Sequence, residues 1–161
     1  MDQNTLKRVE PLVVGSKKKL WVVITLESGI ITRIQLTKRQ PKNHVSEPNI
    51  SERLIKVLKG ASNDDLGIKY RICGTEFQQA VWAETCRIPC GSLATYGEIA
   101  EKIGCSSPRA VGQALGKNPL PLIIPCHRVI GAGGKLTGFS SGIEIKRMLL
   151  DFESKGREVS S

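Results

Sequence analysis

The segment Asn118-Pro119-Leu120-Pro121-Leu122-Ile123-Ile124-Pro125-Cys126-His127-Arg128-Val129 constrains this chain more than any other stretch of it. Its prolines fix φ and hold the residues before them away from helical conformations, so the segment is neither a helix nor a regular central strand. Leu122-Ile123-Ile124 calls for burial, yet it delivers the chain straight into a thiol, an imidazole and a guanidinium. A core strand does not ordinarily end that way. The pattern reads as a rigid segment able to hold a nucleophile in place. A thiol at its ordinary pKa of about 8.5 is mostly protonated at neutral pH, so Cys126 needs a base, and His127 is the candidate. Adjacent side chains of an extended chain point to opposite faces. Direct contact between the two would need a turn, and a bridging water is the easier geometry. A buried cysteine beside a structural histidine is the plain alternative.

Upstream, Leu20 to Leu26 and Ile30 to Leu36 are β-branched runs separated by Glu27-Ser28-Gly29, which predicts an antiparallel hairpin. Lys38 to Asn49 reads as a polar loop that ends at an N-cap on Ser51, followed by an amphipathic helix over Glu52 to Lys59. Leu66 to Ile72 is expected to add a third strand. Past Gly74 the pattern turns helical, with Thr75 as N-cap and Phe77, Ala80, Val81 and Trp82 as an apolar stripe, so a boundary is placed there. The fold class is therefore α/β (α+β): a small N-terminal αβ domain over residues 1–74 with an antiparallel hairpin sheet, and a mainly helical domain over residues 75–161.

Within the second part, Thr95 to Gly104 predicts a short helix with Ile99, Ala100 and Ile103 inward. Ser107-Pro108 opens a second helix that stops before Asn118-Pro119. Two short helices across a tight turn make a helix-turn-helix, though an ordinary helical corner has the same outline. Ala110, Gly112 and Ala114 would let the second helix approach another backbone closely. A glycine in mid-helix costs on the order of 1 kcal/mol relative to alanine, so Gly112 invites a contact explanation, for which a tight helix–helix crossing would also serve.

Charge supports a polyanionic partner without naming one. The 161 residues carry a net charge of +9, and the excess is N-terminal: 14 basic against 7 acidic residues before Thr75, and 10 against 8 from Thr75 on. Lys17-Lys18-Lys19 reads as a solvated turn. No apolar run reaches the roughly 18 residues of a membrane span, and Met1-Asp2-Gln3-Asn4-Thr5 does not lead into a signal sequence. A cytoplasmic protein is expected, or a nuclear one where the source has a nucleus. Five cysteines without a CxxC pair argue against a disulfide framework, and most are expected to be small core residues. Cys86 and Cys90 are four apart, but Pro89 interrupts them and only His44 and His127 could complete a zinc set, so no metal site is expected.

Taken with Thr95-Tyr96-Gly97-Glu98-Ile99-Ala100, Pro108-Arg109-Ala110-Val111-Gly112 and Gly116-Lys117-Asn118-Pro119, the segment Ile124-Pro125-Cys126-His127-Arg128-Val129 closely resembles the O6-alkylguanine-DNA alkyltransferases, from Thr75 to about Glu153. The resemblance implies that Cys126 accepts the alkyl group from O6-alkylguanine, and from O4-alkylthymine, irreversibly and once per molecule. His127 would act as base through water, and Glu153 would bind the imidazole. Tyr96 would donate to the guanine ring, and Asn118 would link the helix-turn-helix to the active segment. The partner implied is double-stranded DNA, entered through the minor groove by the second helix with Ala110 and Gly112 close to it. Arg109 would replace the flipped nucleotide in the stack. Leu136 to Ser141 would form a lid, with Val129, Phe139, Ser140 and Pro121 around the base. No cofactor is implied, and a monomer is expected. Phe139 and Ser141 stand where many members have Tyr and Gly, and Gln113 where some have a second Gly, which puts lid hydrogen bonding in doubt. Two other readings stay open: a lesion-binding relative without transfer activity, which would lack the reactive cysteine, and a helix-turn-helix regulator whose Cys126 senses oxidants or alkylators.

Overall fold

The computed structural model describes residues 5–14, 18–42, 45 and 48–158. Three antiparallel strands in the order β1-β2-β3 form the larger sheet: β1 (Thr5–Val14), β2 (Lys18–Glu27) and β3 (Ile30–Thr37). The hairpin expected from sequence joins β2 to β3. Ser28 and Gly29 take φ of 52° and 78°, the turn geometry whose twist suits a two-residue hairpin. The third strand is β1 and not Leu66 to Ile72. A turn at Asn63 to Gly67 breaks that run and leaves only Tyr70 bridged to Ile31 on the free edge of β3. β1 tolerates Pro11 because an edge strand has an unpaired side.

The first helix, α1 (Pro48–Leu58), starts three residues before the expected cap at Ser51. Proline at a first helical position loses no hydrogen bond, so Pro48 opens the helix where a loop was expected. Lys18 and Lys19 open β2 instead of turning, while Lys17 and His44 lie outside the described residues, as do Met1 to Asn4.

The helical part runs α2 (Glu76–Cys86), β4 (Ala94–Thr95), α3 (Tyr96–Lys102), α4 (Pro108–Gly116), β5 (Val129–Ile130) and α5 (Ile143–Glu158). Thr75 and Thr95 close reciprocal capping boxes with Gln78 and Glu98. On α2 only Val81 and Trp82 of the expected stripe are buried; Phe77 and Ala80 are exposed. The Trp82 indole N–H donates to the Ala114 carbonyl at 3.0 Å, tying α2 to α4. β4 and β5 pair in parallel, Ala94 with Val129 and Thr95 with Ile130, which sets the start of α3 beside the Cys126 turn.

One hydrophobic core runs from the sheet (Leu20, Val22, Ile24, Ile34) through Leu54 and Trp82 to Leu120, Ile124 and Leu149. The sheet also meets the active segment through its backbone, because the Ile34 N–H donates to the Pro119 carbonyl at 2.8 Å. Of the cysteines only Cys126 is buried; Cys73 and Cys86 are exposed and Cys90 and Cys105 half-buried, against the expectation of core thiols. Among the described residues no helix is long and apolar enough to cross a membrane.

Candidate active site

The proline-rich segment folds back on itself before it reaches the thiol. Pro121 bridges to Ile124, the Ile124 N–H donates to the Leu120 carbonyl at 2.9 Å, and Leu122 at the bend takes φ of 79°. A leucine seldom adopts that left-handed conformation, and full burial of its side chain holds it there. The chain then makes a single 3-10 turn over Cys126–Arg128, so thiol, imidazole and guanidinium project in different directions from one turn. Every residue from Leu120 to Ile130 is buried.

Asn118 ties the bend to the sulfur. Its Nδ2 donates to Cys126 Sγ at 3.1 Å and to the Ile124 carbonyl at 3.0 Å, while its Oδ1 accepts from the Leu120 N–H at 2.9 Å. Burial pushes the Cys126 thiol up to about 11, against the opposing pull of the Asn118 amide and the Lys146 ammonium. In the resting protein the sulfur is therefore protonated at neutral pH.

His127 is fully buried, with Nε2 2.7 Å from Glu153 Oε1. Burial lowers the imidazole pKa, and the Glu153 hydrogen bond only partly restores it, so the ring is neutral near pH 7. With Nε2–H donated to the carboxylate, Nδ1 is the basic nitrogen, and it has no hydrogen-bond partner among the described residues. Burial alone would raise the Glu153 carboxyl; hydrogen bonds from His127, Arg128 and the Gly91 N–H outweigh it and hold the group at about 2. Arg128 donates to both Glu153 oxygens at 2.8–3.1 Å and to the Ile88 carbonyl at 2.8 Å. The charged pair is thus buried with every partner in place.

The Tyr96 hydroxyl donates to the carbonyls of Thr137 at 2.8 Å and Gly138 at 3.2 Å, so the phenol is held by the loop that precedes α5. Burial raises its pKa and keeps the O–H protonated. Lys146 is fully buried, donates from Nζ to Val129 O at 2.5 Å and Thr137 O at 2.9 Å, and sits 5.7 Å from the Tyr96 ring centre. The Val129 carbonyl is already engaged by that lysine. Phe139 packs half-buried against the core, while Ser140 is exposed and lines, with Pro121, a cleft beside the site.

On α4, Ser107 caps the helix through the Ala110 N–H at 3.2 Å, and Arg109 stands exposed in the first turn. Gly112 faces the Tyr96 ring, where an added Cβ would sit 3.7 Å from it, an ordinary contact. Packing inside the protein therefore does not require glycine. Ala114 is buried and its carbonyl accepts from Trp82 of α2, so of the three small residues it belongs to a helix–helix contact inside the protein. Asn118 meets the Cys126 sulfur, His127 follows it in the same turn and is bound to Glu153, and Tyr96 is tied to the Thr137 and Gly138 carbonyls; Arg109 and Ala110 stand on α4. Sequence reasoning missed Arg128 as the partner of Glu153, and Lys146 altogether. The signal was present: Lys146, Leu149 and Glu153 fall at i, i+3 and i+7 on the buried face of α5. No cluster of three or more metal-ligating side chains occurs among the described residues.

Residues 76–155 match the family model described as 6-O-methylguanine DNA methyltransferase, DNA binding domain. A methylated-DNA–protein-cysteine methyltransferase of Methanosarcina mazei is 58% identical over 143 residues, 88% of this chain and 89% of that protein. The crystal structure of Mycobacterium tuberculosis OGT in complex with DNA superposes with a TM-score of 0.74 at 34% identity, over 93% of each chain. The O6-methylguanine-DNA methyltransferase of Pyrococcus kodakaraensis does so with a TM-score of 0.76 at 29% identity, over 92% of this chain and 99% of that one. With a buried thiol in a Pro-Cys-His-Arg turn, a histidine held by a glutamate and a likeness to the archaeal relative along nearly its whole length, the chain belongs to the methylated-DNA–protein-cysteine methyltransferases.

Proposed function

We propose that this protein repairs DNA by moving the alkyl group of O6-alkylguanine, or of O4-alkylthymine, onto Cys126, once per molecule and without reversal. The observation that carries the reading is one buried turn in which the Asn118 amide lies 3.1 Å from the Cys126 sulfur and the next residue is a neutral histidine whose Nε2 is tied to Glu153 at 2.7 Å. Such a thiol needs help to ionise and has it. His127 Nδ1, through a water, takes the thiol proton, and the resulting imidazolium is stabilised by Glu153. The thiolate attacks the alkyl carbon in line; the C–S bond forms, the C–O6 bond breaks, and its electron pair leaves with the guanine. Tyr96 exchanges its lid carbonyls for the guanine ring and supports departure of a neutral base. A thioether has no leaving group for water to displace, so the product is stable and the protein is spent.

The base must leave the stack to reach a buried sulfur, and the exposed helix-turn-helix supports that step. Arg109 in the first turn of α4 fills the space of the extruded nucleotide, Ala110 and Gly112 approach the minor groove, and Val129, Phe139, Ser140 and Pro121 frame the base. Transfer and DNA contact are assigned to residues 75–161, which contain all of these groups. Cys126→Ser tests the assignment: the serine protein should bind duplex DNA carrying O6-methylguanine as the parent does, and take up no labelled methyl group. Methyl uptake by the serine variant would make another residue the acceptor.

A further inference from the structure

An open cleft of about 490 Å³ begins at Asn118, beside the reaction centre. One wall is β3, through Arg33 and Gln35; the other is formed by Lys117, Asn118, Pro121 and the lid residues Ser140 and Ser141. Asn118 belongs to both places, since its amide reaches Cys126 Sγ at 3.1 Å while the residue lines the cleft. An O6 substituent longer than methyl must extend away from the sulfur, and the cleft shares with the reaction centre Asn118, which meets the sulfur, and Pro121 and Ser140, assigned above to frame the base. The cleft is polar. It holds two cations, Arg33 and Lys117, and no acidic side chain. Neither cation makes an ion pair among the described residues, whereas Arg71 and Lys38 near the sheet are paired with Glu27 and Glu144.

We infer that this cleft receives the far end of larger O6 substituents and selects those that carry an anion, a carboxylate above all. The inference rests on the transfer reaction proposed above and names a substrate class for it: O6-alkyl and O6-arylmethyl guanines with a negative group remote from the reacting carbon. The chemistry is unchanged. The sulfur attacks the CH2 attached to O6, the C–O6 bond breaks with its electrons leaving on guanine, and the anionic group remains on the thioether, held between Arg33 and Lys117.

The test uses free bases, so that DNA phosphates play no part: O6-(4-carboxybenzyl)guanine, O6-benzylguanine and O6-(4-aminomethylbenzyl)guanine, each in single-turnover reactions with the full chain. The carboxylate should react faster than the ammonium compound by about tenfold at low salt, with the neutral compound between them. The ratio should shrink toward one in 1 M salt, where the screening length is about 3 Å. Arg33→Glu, an exposed position on β3, should invert the order and leave transfer from O6-methylguanine in duplex DNA unchanged. Equal rates for the three bases, or an order that Arg33→Glu does not alter, would overturn the inference while methyl transfer continued. Slowed duplex repair by Arg33→Glu, with the order on free bases kept, would also overturn it, because the cleft would then serve a DNA phosphate. Absence of methyl transfer by the parent protein would instead mark failure of the underlying reaction.

Discussion

Glu153 shows how much one side chain sets in this protein. It accepts from His127, Arg128 and the Gly91 backbone while only 2% exposed. Replacing it with glutamine removes the charge opposite a buried guanidinium, so Glu153→Gln should cost about 3–5 kcal/mol in chemical denaturation as well as slowing transfer. The same group makes stability depend on acid. Its folded pKa of about 2 lies below the 4.5 of an unperturbed carboxyl, so its contribution is full above 4.5 and is lost as pH falls from 4.5 toward 2. His127 acts in the same direction. Held neutral in the fold, it leaves the unfolded chain to bind the proton first below 6.5, so stability starts to fall there. The transfer rate should follow the imidazole of the folded protein, whose pKa burial holds below 6.5: level through neutral pH and falling only in more acidic solution, once His127 is protonated. A single-turnover pH profile on a free base checks this without involving DNA binding. Cys126 and His127 stood out in the sequence as candidate nucleophile and base because proline flanks them and no core strand explains them. Arg128 was not, since its partner is 25 residues away on another helix.

At the scale of elements, α4 separates what packing needs from what binding needs. Gly112 meets the Tyr96 ring with room for a methyl group. Gly112→Ala should therefore raise stability by about 0.5–1 kcal/mol through helix propensity. If the helix lies against DNA at that point, the same change should weaken duplex affinity several-fold, which a titration alongside thermal unfolding would reveal. Arg109→Ala should slow repair of duplex lesions while leaving reaction with free O6-benzylguanine untouched, because only the duplex requires extrusion. Equal losses on both substrates would remove Arg109 from that role. The N-caps of α2, α3 and α4 could be read directly, since Thr75, Thr95 and Ser107 each carry a side-chain oxygen that meets an orphan N–H. The larger sheet was only partly legible. β1 mixes charges and a proline along an edge, whereas Leu66 to Ile72 has the composition of a strand but is broken by the turn before it.

At the scale of the molecule, sheet and helices share one core, and the active segment lies at their junction, bonded through Pro119 to Ile34 and packed through Leu120, Leu122 and Ile124. Alkylation adds volume where Cys126 is only 6% exposed and the Asn118 amide stands 3.1 Å from its sulfur. Overpacking of that kind costs about 1–3 kcal/mol, so the methylated protein should melt about 3–10 °C below the parent, measurable by calorimetry on reacted and unreacted samples. The most direct test of the whole account is intact and peptide mass spectrometry after mixing the protein with duplex DNA that carries a single O6-methylguanine, beside an undamaged duplex. The account predicts a gain of one CH2 unit on the peptide containing Cys126, saturating at one per protein and absent from the control. An unchanged mass with retained preference for the damaged duplex would contradict it and make the protein a lesion binder; a methyl group on any other residue would contradict the site.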